Sequence, residues 1–273
     1  MIAEHTRVSG EWLDLREPAD AAARDPELVE SLRRRLPSAG RLVIHDFGCG
    51  TGSMGRWLAP LLPGPQHWVL HDRDEDLVDA AAAELPGPAA DGASVSVERR
   101  ASDVALLRPG DLADASLVTA SALLDLLTRD ELDGLIDVCT KAECPVILSL
   151  SVVGHVDLVP ADPLDSRVSA AFDAHQRRMT VRGRLLGPDA VAAAIEGFRR
   201  RGAEVLVRPT PWRLGAAEAH LAAKWFTGWI GAACEQSVEL ASETGSYARR
   251  RLAEARTREL AVTVGHADLL VLP

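Results

Sequence analysis

The stretch His45-Asp46-Phe47-Gly48-Cys49-Gly50-Thr51-Gly52-Ser53 constrains this chain more than any other, because it joins the apolar strand pattern Leu42-Val43-Ile44 directly to the start of a helix. Glycines at alternate positions let the backbone turn tightly and let a ligand approach without meeting a Cβ. In an open α/β sheet the ligand crevice lies at the carboxyl ends of the strands, where such a loop must sit. The rest of the pattern agrees. From about Arg41 onward short apolar runs alternate with helical patterns, as in a parallel sheet with helices on its faces. Residues 68–70 read as a second strand ending at His71-Asp72, and 94–99 alternate like a strand near a sheet edge. Residues 117–121, 146–152, 205–207 and 269–271 read as the fourth to seventh strands. Thr128 with Glu131 predicts a capping box opening a helix to about residue 142, and Pro188 with Gly202 brackets another over 188–201.

Two regions lie outside this alternation. Within residues 1–40, Pro18 and Pro26 mark helix starts and Pro37 a stop, giving short helices before the sheet. Residues 215–236 and 242–260 are helical by pattern, a long connection of the kind that often carries function. The reading is an N-terminal helical segment or lid (1–40), a ligand-binding core (41–208), a helical insertion forming a pocket cap or a dimer surface (209–260) and a final core strand (261–273).

Two ligand classes compete for the loop. Gly50-Thr51-Gly52-Ser53-Met54-Gly55 matches the dinucleotide pattern, but it begins several residues after the strand ends. Asp46 decides between them. A carboxylate at the mouth of the loop repels a pyrophosphate, which wants bare N–H groups and a positive helix end. It suits a ligand with an ammonium group and a sulfonium centre, and S-adenosylmethionine carries both. Asp46 to Gly52 resembles motif I of the class I methyltransferases, the loop that holds the methionine end of S-adenosylmethionine. The resemblance covers about residues 41–208 and the terminal strand. It implies a Rossmann-like, seven-stranded α/β methyltransferase sheet with helices on both faces, N-terminal helices and a helical insertion before the last strand. It also implies that Asp46, Gly48, Gly50 and Gly52 hold the donor and that Asp72, about twenty residues past the loop, accepts from both ribose hydroxyls. Asp103 would stand against the adenine amino group or cap a helix, and Ser121 would face donor or acceptor. An N-terminal helix over the donor site would bring Trp12 or Arg16 to the substrate, although packing of Trp12 and Leu15 against the sheet is the simpler reading.

Composition narrows the partners. In 273 residues there are 40 acidic side chains and 30 Lys and Arg, a formal charge of −10 that disfavours a nucleic-acid partner. Four Phe and one Tyr leave few platforms for unpaired bases. No apolar run reaches the ~20 residues that span a bilayer, and the polar first ten residues lack a signal-peptide core, so a cytoplasmic enzyme without a membrane partner is expected. Cys49, Cys139, Cys144 and Cys234 form no CxxC pair and have no zinc-like histidine spacing, so reduced thiols and no metal are expected.

Methyl transfer is a displacement at carbon with an already activated leaving group, so orienting the reactants supplies most of the catalysis, worth ~7–11 kcal/mol. If the acceptor is a hydroxyl, a base adds ~100- to 10,000-fold. His155, just past the fifth strand, and His175 are the base candidates; His45, His67 and His266 flank strands and read as structural. The polar segment 154–184 reads as a substrate lid, and Trp225, Phe226 and Trp229 as one buried helix face. The leading expectation is a small-molecule methyltransferase, as a monomer or homodimer. Its rivals are an RNA methyltransferase with the same core, a nicotinamide-dependent oxidoreductase and a non-catalytic S-adenosylmethionine-binding protein.

Overall fold

The computed structural model describes residues 8–85 and 87–273. Its frame is a sheet of eight strands: β1 (Leu42–Phe47), β2 (Gln66–Asp72), β3 (Val95–Ala101), β4 (Leu117–Ser121), β5 (Val146–Val159), β8 (Glu204–Pro209), β9 (Trp212–Leu214) and β10 (Ala261–Leu272). The order is β3-β2-β1-β4-β5-β10-β8, with β9 beside the other end of β10. A separate short hairpin holds β6 (Met179–Thr180) and β7 (Gly183–Arg184). Strands β1 to β5 run parallel, whereas β10 is antiparallel to β5, β8 and β9. All six residues of β1 are buried, as expected of a central parallel strand covered on both faces.

Helices α2 (Pro26–Arg33), α3 (Ser53–Leu58) and α4 (Glu75–Glu84) cover one face, packing Leu28, Met54, Leu58 and Val78 around Ile44 and Trp68. Helices α5 (Arg129–Lys141) and α7 (Ala190–Arg200) cover the other, packing Ile136, Ala194 and Phe198 around Val118, Leu148 and Leu269. The Thr128 capping box opens α5 as its sequence predicts: Glu131 N donates to Thr128 Oγ1 at 3.3 Å, and Thr128 N to Glu131 Oε2 at 2.8 Å.

A third apolar cluster lies beyond the carboxyl edge of the parallel strands. There α6 (Asp165–Gln176), α8 (Ala219–Gln236), α9 (Val238–Glu243) and α10 (Gly245–Arg256) pack Val168, Phe226, Trp229 and Tyr247 against the ends of β5 and β10. Arg251, 1% exposed, ties α10 to α6 by donating to both carboxylate oxygens of Asp165 at 2.7 and 2.8 Å. Among the described residues no helix is long and apolar enough to cross a membrane.

Three sequence expectations change. The fifth strand does not stop at residue 152. It continues to Val159 paired with β10, because Val152, Gly154, Val156 and Leu158 keep a period of two with the outward Val153, His155 and Asp157. Pro18 does not start a helix but lies inside α1 (Gly10–Ala23), which begins at the Ser9 cap. An interior proline costs about 3 kcal/mol. Here the pair Arg16–Asp20 at 2.9 Å spans it within the helix, and Glu17 anchors the first half by accepting from Arg56 Nε at 2.8 Å. The insertion holds a third helix: α9 occupies most of the gap between the two expected ones, and α10 is the second. Ser237 ends α8 and recaps the chain by accepting from Leu240 N at 3.3 Å.

Candidate active site

A cavity of about 1500 Å³ opens at the carboxyl ends of β1, β2 and β4, beneath α1 and the helical cap. The glycine loop forms part of its floor. Gly48, Gly50 and Gly52 have φ of 62°, 53° and 90°, the left-handed region that side-chain-bearing residues resist. A Cβ on Gly50 would come within 3.0 Å of Leu13 in α1, so that helix rests directly on the loop.

Asp72, at the end of β2, braces this loop. Gly50 N donates to one of its carboxylate oxygens and Asp74 N to the other, both at 3.0 Å. Each oxygen keeps lone-pair capacity for a further donor. Asp46, at the end of β1, is 1% exposed and accepts from Thr119 Oγ1 at 2.7 Å. Its second oxygen is buried with no partner among the described residues. Burial, and then the neighbouring Asp72, push its pKa up to about 7, against the pull of Thr119 and Arg24.

Arg24, between α1 and α2, is buried behind this half at 3% exposure. It donates to Ser53 Oγ at 3.3 Å and Ser121 Oγ at 3.1 Å and lies over the Trp57 ring, while its Nε has no partner. Burial lowers its pKa, and Asp20, Asp268 and Asp46 oppose that loss. Under the loop His45 and His71 stack, with Nδ1 and Nε2 3.0 Å apart. His71 Nδ1 reaches Ser102 Oγ on the cavity wall at 3.0 Å. Burial is the main cause that lowers both pKa values, to about 4 and about 3.

The opposite half is walled by side chains. Trp225 and Trp229 of α8 stack at 5.3 Å, and Trp212 of β9 lies 5.3 Å from His266 and 6.5 Å from Trp12. Arg16 lies over the Trp212 ring at 4.9 Å, fixed by Asp20, which also accepts from Trp212 Nε1 at 3.0 Å. His266 is 5% exposed, its Nδ1 unpartnered, and burial followed by Arg16 lowers its pKa to about 3. Asp125, on the turn after β4, lines the same space. Burial raises its pKa to about 6, opposed by a hydrogen bond from its own backbone and then by Arg16 and Arg178.

No protein-family model and no curated protein sequence matches the chain. Solved structures do. Loganic acid methyltransferase, solved with S-adenosylhomocysteine, superposes with a TM-score of 0.55 at 10% identity, over 100% of this chain and 98% of that one. The cyclopropane synthase MmaA2 from Mycobacterium tuberculosis gives 0.53 at 12% identity, over 97% and 95%. Mycolic acid cyclopropane synthase CmaA1 in its apo form gives 0.50 at 12% identity, over 97% and 100%. These likenesses extend from end to end and include the sheet. The chain has the class I methyltransferase fold.

Within that methyltransferase fold, the structure brings Asp46, Gly48, Gly50, Asp72, Ser121 and His175 to one cavity. Gly52 stands behind its wall as the cap position of α3, where a Cβ would meet Ala81 at 3.1 Å. Asp103 is turned to a capping role. It accepts from Ala105 N at 3.0 Å and from Arg73 at 2.8 Å, and the wall beside it is Ser102 and Val104. His155 leaves the site: on the outward face of the extended β5 its side chain is 59% exposed and pairs with Asp157 at 2.7 Å. His175 faces the cavity with Glu235 at 3.2 Å, and burial, then Arg178, lowers its pKa. Sequence reasoning passed over Arg24, which follows three alanines and belongs to no motif, and read His266 as structural because it sits in a strand. Only the convergence of distant segments marks either.

Proposed function

We propose that this protein is an S-adenosylmethionine-dependent methyltransferase acting on a small-molecule acceptor by in-line displacement. One observation carries the reading: the buried, half-satisfied Asp46 carboxylate beside a positive-φ glycine loop that Asp72 braces. The free oxygen of Asp46 suits a cationic amino group. Ser53 and Ser121, which line the cavity and accept from the buried Arg24 behind them, suit the carboxylate of the same amino acid end, and Asp72 suits two vicinal hydroxyls. Ser102 and Val104 would flank the base, with Asp103 held one residue off the wall. The donor supplies a sulfonium-bound methyl group. The chain's residues orient it, hold its charges and exclude water with α1 and the cap.

The same carboxylate disfavours a dinucleotide, whose pyrophosphate would meet Asp46. The net charge of −10 and a cavity of about 1500 Å³ roofed by helices favour a small acceptor over RNA. Titration calorimetry with S-adenosylhomocysteine and with NAD tests the reading. S-adenosylhomocysteine binds the wild type and NAD does not, and Asp72→Ala weakens the former by at least about tenfold, or about 1.4 kcal/mol. Preference for NAD, or full affinity in the variant, overturns the assignment.

A further inference from the structure

Resting on that reading, we infer that Asp125 is the catalytic base and that the acceptor is a planar molecule methylated on a hydroxyl. Asp125 lies four residues past Ser121, on the turn that follows β4. Its carboxylate lines the cavity and has no side-chain partner among the described residues. The other acids of this half are engaged: Asp20 with Arg16 and Trp212, and Glu235 with His175. Burial lowers the pKa of His175, and that of His266 falls to about 3, so both are weaker bases than a free histidine. Asp125, with a pKa near 6, is matched to the task.

The groups around Asp125 select the acceptor. Arg16 of α1 and Arg178 beyond α6 both act on it electrostatically, and Lys224 of α8 lines the same cavity. These cations repel an ammonium and stabilise the negative charge that develops on an oxygen losing its proton. The walls are flat: the Trp225–Trp229 stack, and Trp212 with His266. The unpartnered His266 Nδ1 and Trp229 Nε1 remain for polar groups at the edge of a ring. In the step, the acceptor oxygen bonds to the donor methyl carbon as the carbon–sulfur bond breaks. The electron pair of that bond stays on sulfur as a thioether, and the hydroxyl proton passes to Asp125 and from there to water.

The test is S-adenosylhomocysteine release with 1-naphthol, catechol and 4-hydroxybenzoate, against tryptamine and thiophenol. Wild type turns over at least one hydroxyl probe, at a rate that rises with pH through about 6 as Asp125 ionises. Asp125→Asn lowers kcat at least ~100-fold and removes that limb, Asp125→Glu restores part of it, and both keep S-adenosylhomocysteine affinity within about twofold. Turnover of the amine or thiol alone, silence of all three hydroxyl probes, or an unchanged pH limb in Asp125→Asn overturns the inference. Failure of the wild type to bind S-adenosylhomocysteine would instead overturn the methyltransferase reading beneath it.

Discussion

Around Gly48 to Gly52 the cavity is made of backbone, with positive φ, amides held by Asp72 and a floor fixed by strand β1. Across from it the wall is made of side chains from α1, β9, α8 and β10, segments separated by up to the length of the chain. The first half is a local device. Its geometry follows from a strand end, three glycines and one acid, whatever the cap does. The second exists only because the β5–β10 extension carries the cap over the sheet edge and brings Trp212, Trp229 and His266 to one space. A backbone-built half can hold one ligand through many sequences, whereas a side-chain-built half is free to change its ligand.

The largest effect expected from breaking this contrast is at Gly50. Gly50→Val puts a β-branched residue at φ 53° and drives its Cβ toward Leu13. S-adenosylhomocysteine affinity falls about 100-fold or more, or about 3 kcal/mol, while circular dichroism reports an intact fold. Unchanged affinity would show that the loop is not part of the donor half.

Asp46→Asn gives a smaller, pH-dependent effect with opposite signs in binding and stability. The folded pKa of Asp46 is raised to about 7, so the stability it confers is present at acid pH and lost as pH rises through that value. The ligand-free Asn variant, which keeps the oxygen that accepts from Thr119, therefore melts above wild type at pH 8, and the gap closes toward pH 5. Donor binding runs the other way. A cationic amino group needs the ionised carboxylate, so wild-type affinity for S-adenosylhomocysteine falls as pH drops from 8 to 6, by up to about tenfold per unit. The variant binds weakly at every pH with no such slope. Calorimetry and thermal melts over this range check both signs.

The smallest effect sharpens the division itself. Trp225→Ala removes one ring of the stacked pair without touching the loop. S-adenosylhomocysteine affinity stays within about twofold, while KM for any acceptor rises by an order of magnitude or more, since stacking on an aromatic is worth roughly 1–3 kcal/mol. A matching loss of donor affinity would mean the halves are one coupled site.

Much of the core was legible for the reason that makes the donor half local. The strands β1, β2, β4, β8 and β10 advertise themselves as apolar runs because the sheet buries them, and α5 and α7 by caps and stops, because a helix satisfies its own backbone within a few residues. The extension of β5 was visible only as an alternation, weaker than the run before it. Misreading its end placed His155 at the sheet edge when the strand carries it outward. Pro18 misled for the opposite reason: a local rule against interior proline gave way where an ion pair spans it within the helix and Arg56, 39 residues past Glu17, anchors the turn before it.

The sequence by itself determined the sheet's helical layers, the glycine loop and the acids Asp46 and Asp72 at strand ends, since these depend on periodicity, φ and the identity of neighbours in the chain. Tertiary structure alone decided that Arg24 lies against Ser53 and Ser121, that Asp103 pairs with Arg73, and that Asp125 and His266 share a cavity with four tryptophans. Those arrangements depend on burial and on approaches between residues up to 250 positions apart, and nothing in the local pattern of either partner encodes them.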